Sequence, residues 1–231
     1  MSPKRLKGYK LSQARFLFLA LSALFIAALI TCNIIANKFV NIDLGFKVFT
    51  ISVGVLPYPI TFLITDILSE IYGRKKTNAV VISGFIASIL VMFILWLGNV
   101  FDAIPTSNVN NESYATVFSS TGRVIMASMT AYLFAQLIDV RLFHFWKRKT
   151  KGKHLWVRNN FSTIFSQLVD TILVVVVLFI GQLSVDVMTG FILDGWLFKA
   201  LVALVDTFFI YLIIYAFKRF FSLKDGQEIE I

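Results

Sequence analysis

The sequence has very little of the chemistry that enzymes and disulfide-bonded domains depend on. A single cysteine, Cys32, excludes an internal disulfide and a cysteine-based metal site. The only two histidines, His144 and His154, lie in a basic stretch between apolar runs. There is no HExxH zinc helix, no GxSxG nucleophile elbow and no phosphate-binding glycine loop. We therefore expect neither an enzyme nor a bound cofactor or metal.

Charged residues are also scarce, at 15% of the chain, whereas 58% of the residues are hydrophobic and 24 are phenylalanine. Soluble domains are nearer 45–50% apolar and about 25% charged. A soluble fold of this length would leave roughly 30% of its surface in water, which is too much for so apolar a chain. The composition therefore predicts an all-α integral membrane protein whose partner is the lipid bilayer.

Apolar runs long enough to cross a bilayer as a helix, about 20 residues, occur six times. The six predicted spans are 16–37, 48–72, 77–101, 122–145, 159–182 and 195–217. We expect a cytosolic tail over 1–14, a six-helix transmembrane domain over 15–218 and a second cytosolic tail over 219–231. Residues 99–121 are polar and predict a surface loop, and the charged tail after Phe221 predicts disorder.

The formal net charge of +9 is distributed as expected for membrane topology. Eighteen of the 22 Lys and Arg residues lie in the two tails and in every second loop. Cytosolic loops carry the excess of cations, so both termini are predicted to be cytosolic. A nucleic-acid-binding protein would instead cluster its cations on a polar domain, so no nucleic-acid partner is expected.

Five acidic residues lie inside predicted spans, where each charge costs about 2.5–3.5 kcal/mol on insertion scales. They are Asp66, Glu70, Asp139, Asp170 and Asp206. Water, a ligand or a partner charge must offset this cost. The alternative interpretation is structural, with ion pairs that only hold helices together.

Two polar stripes point to a shared interior site. The fourth and fifth spans repeat one spacing of polar residues, with Ser128, Tyr132, Gln136 and Asp139 in the former and Asn159, Thr163, Gln167 and Asp170 in the latter. Residues three and four apart share a helical face, and a polar face is unfavourable in lipid. We expect both Gln-x-x-Asp pairs to face a cavity in the cytosolic half of the membrane. Interhelical hydrogen bonding without a cavity is the alternative.

The second span contains Pro57 and Pro59 shortly after Gly54, so a break or kink is expected there. Broken helices form substrate sites in many transporters, although a kink can also serve packing alone. Further polar residues are Arg123 and Lys199 near the outer ends of two spans and Asn37 at the outer end of the first.

These residues together resemble the queuosine precursor transporters, bacterial membrane proteins formerly grouped as vitamin uptake transporters. The first matching stretch runs from Pro59 to Lys75, PITFLITDILSEIYGRK, and includes Asp66 and Glu70. The others are Arg123 with Ala127-Ser128, QLIDV from Gln136, WVRN from Trp156, and Thr163, Gln167 and Asp170. The resemblance covers roughly residues 15–218.

The resemblance implies a six-helix fold and import of 7-deazaguanine bases, the cyano- and aminomethyl-bearing precursors of queuosine, across the bacterial inner membrane. A carboxylate can accept from the ring N–H and amino group of such a nucleobase, while an amide serves its carbonyl. The predicted substrate-binding residues are Asn37, Asp66, Glu70, Arg123, Ser128, Tyr132, Gln136, Asp139, Arg158, Asn159, Thr163, Gln167, Asp170, Lys199 and Asp206.

Several alternatives remain open from the sequence. The chain could be a binding subunit that needs a separate ATPase, or a non-transporting structural protein. Proton coupling and facilitated diffusion are equally compatible with the buried acids, and so is a homodimer.

Overall fold

The computed structural model describes residues 3–118 and 122–231, except for the side chains of residues 122–127 and 178, and most of these residues are helical. The helices are α1 (Gly8–Ile34), α2 (Tyr58–Ile71), α3 (Arg74–Val100), α4 (Asn111–Phe118), α5 (Gly122–Lys149), α6 (Leu155–Phe179) and α7 (Val185–Phe221). The strands are β1 (Lys4–Arg5), β2 (Phe39–Asp43), β3 (Val48–Ser52) and β4 (Ile229–Glu230), and a 3₁₀ turn spans Val53–Val55.

Five helical segments in the described part of the chain are long and apolar enough to cross a membrane. They are Gly8–Ile34, Val53–Ile71, Arg74–Val100, Leu155–Val177 and Val185–Phe221. The predicted class, an all-α membrane protein, is thereby confirmed. Helix α5 is not among the five, so the sixth span stays a prediction.

Helix α2 lies at the centre of the bundle. It packs against α1, α3, α5 and α7, and two thirds of the span that contains it is buried, compared with about a fifth for α1 and α3. The helix begins at Tyr58, with Pro59 in its first turn, where the missing proline N–H costs no hydrogen bond. It ends at Ile71, and Gly73, with a positive φ of 80°, then lets the chain reverse into α3.

The second predicted span is wrong over residues 48–52, which form strand β3 rather than helix. Strand β3 pairs with β2 as an antiparallel hairpin, the 3₁₀ turn Val53–Val55 follows, and the α-helix begins only at Tyr58. Phe49 and Ile51 are buried against Phe198 of α7, because alternate residues of a strand face the same side. The hairpin thus covers one end of the bundle, the hairpin end, and α2 itself is 14 residues, or about 21 Å, long.

Two further segments differ from their predictions. Helix α3 continues to Val100, and the segment predicted as a loop over 99–121 contains α4, which is fixed by a hydrogen bond from Tyr114 to the carbonyl of Leu95. Helix α7 begins at Val185, ten residues before the predicted span, because Ser184 caps it and Asp186 lies in its first turn. The boundaries of the tails and the membrane domain stay a prediction.

The two tails meet at the opposite end of the bundle, the terminal end. Strand β1 pairs with β4 in parallel, and Ile229 is buried. Lys4 binds the carbonyls of Phe221 and Ser222 at 3.1 and 2.7 Å. The C-terminal tail is therefore folded onto the helices, and the prediction of disorder is wrong.

A buried ionic cluster joins the helices beneath these tails. Arg158 of α6 donates two hydrogen bonds to Glu70 of α2, at 2.8 and 3.1 Å, and both side chains are at most 1% exposed. Lys147 of α5 lies 3.5 Å and Lys218 of α7 3.8 Å from the same carboxylate. Lys147 also contacts Glu228 of the C-terminal tail at 3.0 Å. One carboxylate thus neutralises cations from three other helices.

Glu70 is expected to matter more for stability than any exposed ion pair. Glu70→Ala leaves three cations close together without their shared anion, and breaking a buried pair costs about 3–5 kcal/mol. Thermal unfolding in detergent, followed by tryptophan fluorescence, should show a clear drop in the unfolding temperature. The matched control is Glu230→Ala, which removes the exposed Arg5–Glu230 pair and should leave that temperature unchanged. Equal unfolding temperatures for the two variants would contradict the prediction.

Gly54 allows the 3₁₀ turn to lie directly against the end of α1. A Cβ at this position would collide with the backbone carbonyl of Cys32 and lie 3.2 Å from the Cα of Ala36. Backbone atoms cannot rotate away, so we expect Gly54→Ala to lower the free energy of unfolding by about 1–3 kcal/mol. Gly190→Ala in α7 is the control, because a Cβ there meets nothing within 4 Å. Unfolding curves in detergent that coincide for both variants would show that this contact is unimportant.

Candidate functional site

The polar residues of α2 face the interior of the bundle. Thr61, Thr65 and Ser69 recur every fourth residue, as do Asp66 and Glu70, and all five are at most 1% exposed. Residues four apart share a helical face, so these side chains form two adjacent rows. Polar groups of α5, α6 and α7 meet these rows at three depths.

At the middle depth, two carboxyl groups lie side by side. Thr163 of α6 donates to Asp66 at 3.3 Å, and Ser166, one turn further along α6, donates to Asp139 of α5 at 3.0 Å. The carboxyl groups of Asp66 and Asp139 are within hydrogen-bonding reach of each other. We call these two residues the carboxyl pair. In the described part of the chain, Oδ1 of Asp66 and Oδ2 of Asp139 are buried without a hydrogen-bond donor.

The two predicted glutamines differ in their surroundings. Gln136 of α5 accepts from Thr65 at 3.1 Å and donates to Thr61 at 3.4 Å, so α2 satisfies its amide. Gln167 of α6 is completely buried, yet neither its Oε1 nor its Nε2 has a partner among the described residues. Burying an amide without hydrogen-bond partners costs several kcal/mol of free energy on transfer scales. Gln167 is therefore a candidate for hydrogen bonding to a ligand.

Towards the hairpin end, Asp170 of α6 is fully paired. Lys199 of α7 contacts it at 2.8 Å and also donates to Thr171 at 3.2 Å. Tyr58, the first residue of α2, donates to the other carboxylate oxygen at 3.1 Å. This outer cluster neutralises its own charge and ties together the outer parts of three helices.

The two Gln-x-x-Asp pairs, both expected in the cytosolic half of the membrane, lie at different depths in the bundle. Asp170 is 15 residues, or about 22 Å, from the start of α6 at the terminal end, whereas Asp139 is ten residues, or about 15 Å, from the end of α5 there. The turn of α6 that meets Asp139 is Thr163–Ser166, and Asp170 reaches the start of α2 instead. Matching sequence patterns on antiparallel helices thus have different neighbours.

Other predicted residues lie outside the central cluster. Asn37 is exposed at the hairpin end and donates to the carbonyl of Val117. Tyr132 donates to the carbonyl of Val81 at 3.0 Å and holds α5 against α3. Asp206 of α7 is half-buried and has no hydrogen bond or ion pair to any described residue. Ser128 is half-buried on α5.

The remaining predicted residues are placed as follows. Asn159 is buried on α6, one turn from Thr163 towards the terminal end. Glu70 and Arg158 bind each other in the ionic cluster described above. The side chain of Arg123 lies outside the described residues.

Sequence reasoning missed four contributors to these clusters, Tyr58, Thr65, Ser166 and Lys147. The first three are hydroxyl residues. Spacing could have identified Ser166, which lies three residues from Thr163 and four from Asp170 on α6, but not Tyr58 or Thr65, which lie at neither spacing from Asp66 or Glu70. Lys147 was assigned to a loop, although α5 continues to Lys149 and places its ammonium group against Glu70.

A cavity of about 300 Å³ opens at the terminal end between α6 and α7. Arg158, Tyr211, Tyr215, Lys218 and Asp225 are among its lining residues. The hydrogen bond from Lys218, at 3.0 Å, lowers the pKa of the Asp225 carboxyl from its ordinary value. The cavity is thus a polar vestibule with aromatic walls, bordering the ionic cluster.

The middle depth is therefore chemically distinct from the two ends. The ionic cluster and the outer cluster satisfy their charges internally, whereas the carboxyl pair and Gln167 leave two acceptors, an amide donor and an amide acceptor without partners. Such a set can bind a planar polar molecule that has adjacent N–H donors and a carbonyl acceptor. In the described residues, no group of three or more His, Cys, Asp or Glu side chains could hold a metal ion.

Comparison with known proteins agrees with this chemistry. The probable queuosine precursor transporter of Bacillus subtilis is 30% identical over 158 residues, covering 68% of this chain and 69% of that protein. The queuosine precursor transporter of Escherichia coli is 25% identical over 137 residues, or 59% of each chain. A probable queuosine precursor transporter of Haemophilus influenzae is 25% identical, over 51% of this chain and 47% of that protein. No solved structure matches.

A family profile described as "Putative vitamin uptake transporter" matches residues 52–213, which include α2, α3, α5, α6 and most of α7. Because this is a family of transporters, the prediction that the chain is not an enzyme is confirmed. The chain therefore belongs to this membrane transporter family, in agreement with the resemblance to queuosine precursor transporters found in its motifs.

Proposed function

We propose that this chain imports queuosine precursors, as free 7-deazaguanine bases, across the bacterial cytoplasmic membrane. The observation that carries the proposal is the set of unpaired polar atoms on Asp66, Asp139 and Gln167 at the middle depth of the bundle. The names of the relatives in B. subtilis and E. coli supply the substrate class. The cyano- and aminomethyl-bearing bases are the specific substrates we expect.

The polar edge of a 7-deazaguanine matches these atoms. Its ring N–H and exocyclic amino group are adjacent donors, and Oδ1 of Asp66 and Oδ2 of Asp139 are acceptors without donors. Its carbonyl oxygen is an acceptor, and Nε2 of Gln167 is a donor without an acceptor. A bound base would thus satisfy groups that are otherwise costly to bury.

Access to this site requires helix movement. Asp66, Asp139 and Gln167 are at most 1% exposed, so a base reaches them only when the surrounding helices separate. The ionic cluster and the outer cluster are the natural closing elements, because each joins α2 to α6 and α7 by polar contacts that can break and re-form. We infer alternating access, with the terminal-end vestibule as the inner passage.

We further propose that α5 completes a six-span bundle with both termini in the cytosol. Helix α5 has 28 residues, about 42 Å, and packs closely against α3 and α6. Lys147, Arg148 and Lys149 in its last turn lie at the terminal end, as the cytosolic preference of cations requires.

Cysteine labelling tests this topology. In a Cys32→Ser background, Asn108→Cys places a single thiol between α3 and α4, and Lys153→Cys places one between α5 and α6. A membrane-impermeant maleimide should label position 108 in intact cells and position 153 only after permeabilisation. Labelling of both positions in intact cells would rule out the proposed topology.

The transport assignment is tested by salvage of a 7-deazaguanine. Cells that cannot synthesise the base, supplied with 7-cyano-7-deazaguanine at low concentration, should recover queuosine-modified tRNA only when this chain is expressed. Gln167→Leu should weaken uptake about tenfold, because one amide hydrogen bond to the base is lost. It should not lower stability, because the protein itself offers this amide no partner.

Two controls make the result decisive. Gln182→Leu, in the exposed turn before α7, should leave uptake unchanged. Purified chain in liposomes should take up the base without any ATPase; binding without uptake would instead indicate a binding subunit of a larger transporter. Well-expressed protein that restores no modified tRNA would remove the substrate assignment.

A further inference from the structure

We propose that the carboxyl pair binds one proton and that the transported base binds the singly protonated pair, so that base and proton occupy the site together. This inference rests on the proposed function and specifies how the same site is coupled to the membrane. It assigns to Asp66 and Asp139 a proton-binding role that neither the fold nor the family membership requires.

The two carboxyl groups lie side by side in the interior of the bundle. They come from α2 and α5 and meet against one face of α6, because Thr163, which donates to Asp66, and Ser166, which donates to Asp139, lie one turn apart on that helix. Both are at most 1% exposed. Two ionised carboxylates in contact repel each other strongly in such a setting, and one shared proton removes the repulsion.

The neighbouring cations form ion pairs with other carboxylates. Arg158 of α6 binds Glu70. Lys147 of α5 and Lys218 of α7 lie against the same Glu70 carboxylate. Lys199 of α7 binds Asp170, which also accepts from Tyr58 of α2. His144 of α5 faces Glu228. Helices α1 and α3 bring no ionisable side chain to within hydrogen-bond or ion-pair distance of the pair in the described part of the chain.

Hydroxyl groups of α6 surround the pair. Thr163 donates to Asp66 and Ser166 to Asp139, and the hydroxyl groups of Ser162 and Thr163 also act on Asp139. Hydroxyl groups support one ionised carboxylate but do not neutralise two. One oxygen of each residue remains without a donor among the described residues, so the pair has unused hydrogen-bonding capacity for a proton and, once the helices separate, for a ligand.

The donors and acceptors of the singly protonated pair also match the polar edge of the base. When a proton from water forms an O–H bond on one carboxyl oxygen, the pair offers one donor and several acceptors. The base offers two N–H donors and one carbonyl acceptor. The singly protonated pair can therefore donate to the carbonyl and accept from the N–H groups, with Gln167 beside it. The doubly ionised pair has no donor of its own, which leaves the carbonyl to Nε2 of Gln167 and keeps two negative charges against the base.

Proton uptake on binding tests the proposal in the purified full-length chain. We use 7-cyano-7-deazaguanine as the probe in weakly buffered detergent solution at a series of pH values. Above the pH at which the pair loses its proton, binding should take up one proton per base, and affinity should fall up to tenfold per pH unit. Asp66→Asn and Asp139→Asn should each abolish this proton uptake. Asp206→Asn, which changes a half-buried acid away from the site, should retain it.

The outcomes separate this inference from the proposed function. Base binding with no proton uptake and no dependence on pH would overturn the shared proton and leave the substrate assignment standing. Absence of binding would remove the substrate assignment. In that case, the presence of the shared proton is tested in the protein without nucleobase, by measuring the infrared absorption band of a protonated carboxyl group at neutral pH. Loss of that band in both Asp66→Asn and Asp139→Asn, but not in Asp206→Asn, supports the pair; a band unchanged in either variant overturns it.

Discussion

The structure depends on one constraint: polar and charged groups that are placed within a bilayer must find their partners inside the protein. Helix α2 carries many polar groups that need such partners, because its Thr, Ser, Asp and Glu residues form buried rows. The other helices surround it for that reason. Four helices meet at Glu70, three meet at the carboxyl pair, and three meet at Asp170. The apolar outer faces then complete the contact with lipid.

The hairpin and the short central helix follow from the same constraint. Helix α2 alone, with 14 residues or about 21 Å, is shorter than about 30 Å of hydrocarbon, and the 3₁₀ turn before it extends the apolar segment to Val53–Ile71. The chain before it therefore satisfies its backbone as a paired hairpin, with Phe49 and Ile51 packed on α7. Pro57 and Pro59 mark the start of α2 rather than a kink within a longer helix. The result is a transporter in which the polar rows of α2 face the interior, while part of the helix, including Ile60, stays exposed on its outer side.

The clusters divide into those that are satisfied and the one that is not. Glu70 and Asp170 have cationic partners, and these pairs lie towards the two ends of the bundle. Asp66, Asp139 and Gln167 lie between them and together leave four buried polar atoms without a partner among the described residues, whereas Ser69, Asn78 and His144 elsewhere leave one each. Paired groups hold helices together, whereas unpaired groups favour a ligand. This division explains why residues with similar sequence patterns, such as Gln136 and Gln167, have different roles in our proposal.

Much about this protein was determined by the sequence alone. The apolar runs and scattered cations specified a helical membrane protein, and the motifs around Asp66, Gln136 and Gln167 identified the transporter family. These features are local, because helical periodicity tells which residues share a face. Only the tertiary structure decided which groups meet across helices: Glu70 with Arg158 and Lys147, Asp170 with Lys199, and Asp66 with Asp139. The depth of a polar side chain in the bundle, and the side chain that it contacts, depend on how far each helix is shifted along its neighbours. The spacing of residues within a single helix does not specify that shift.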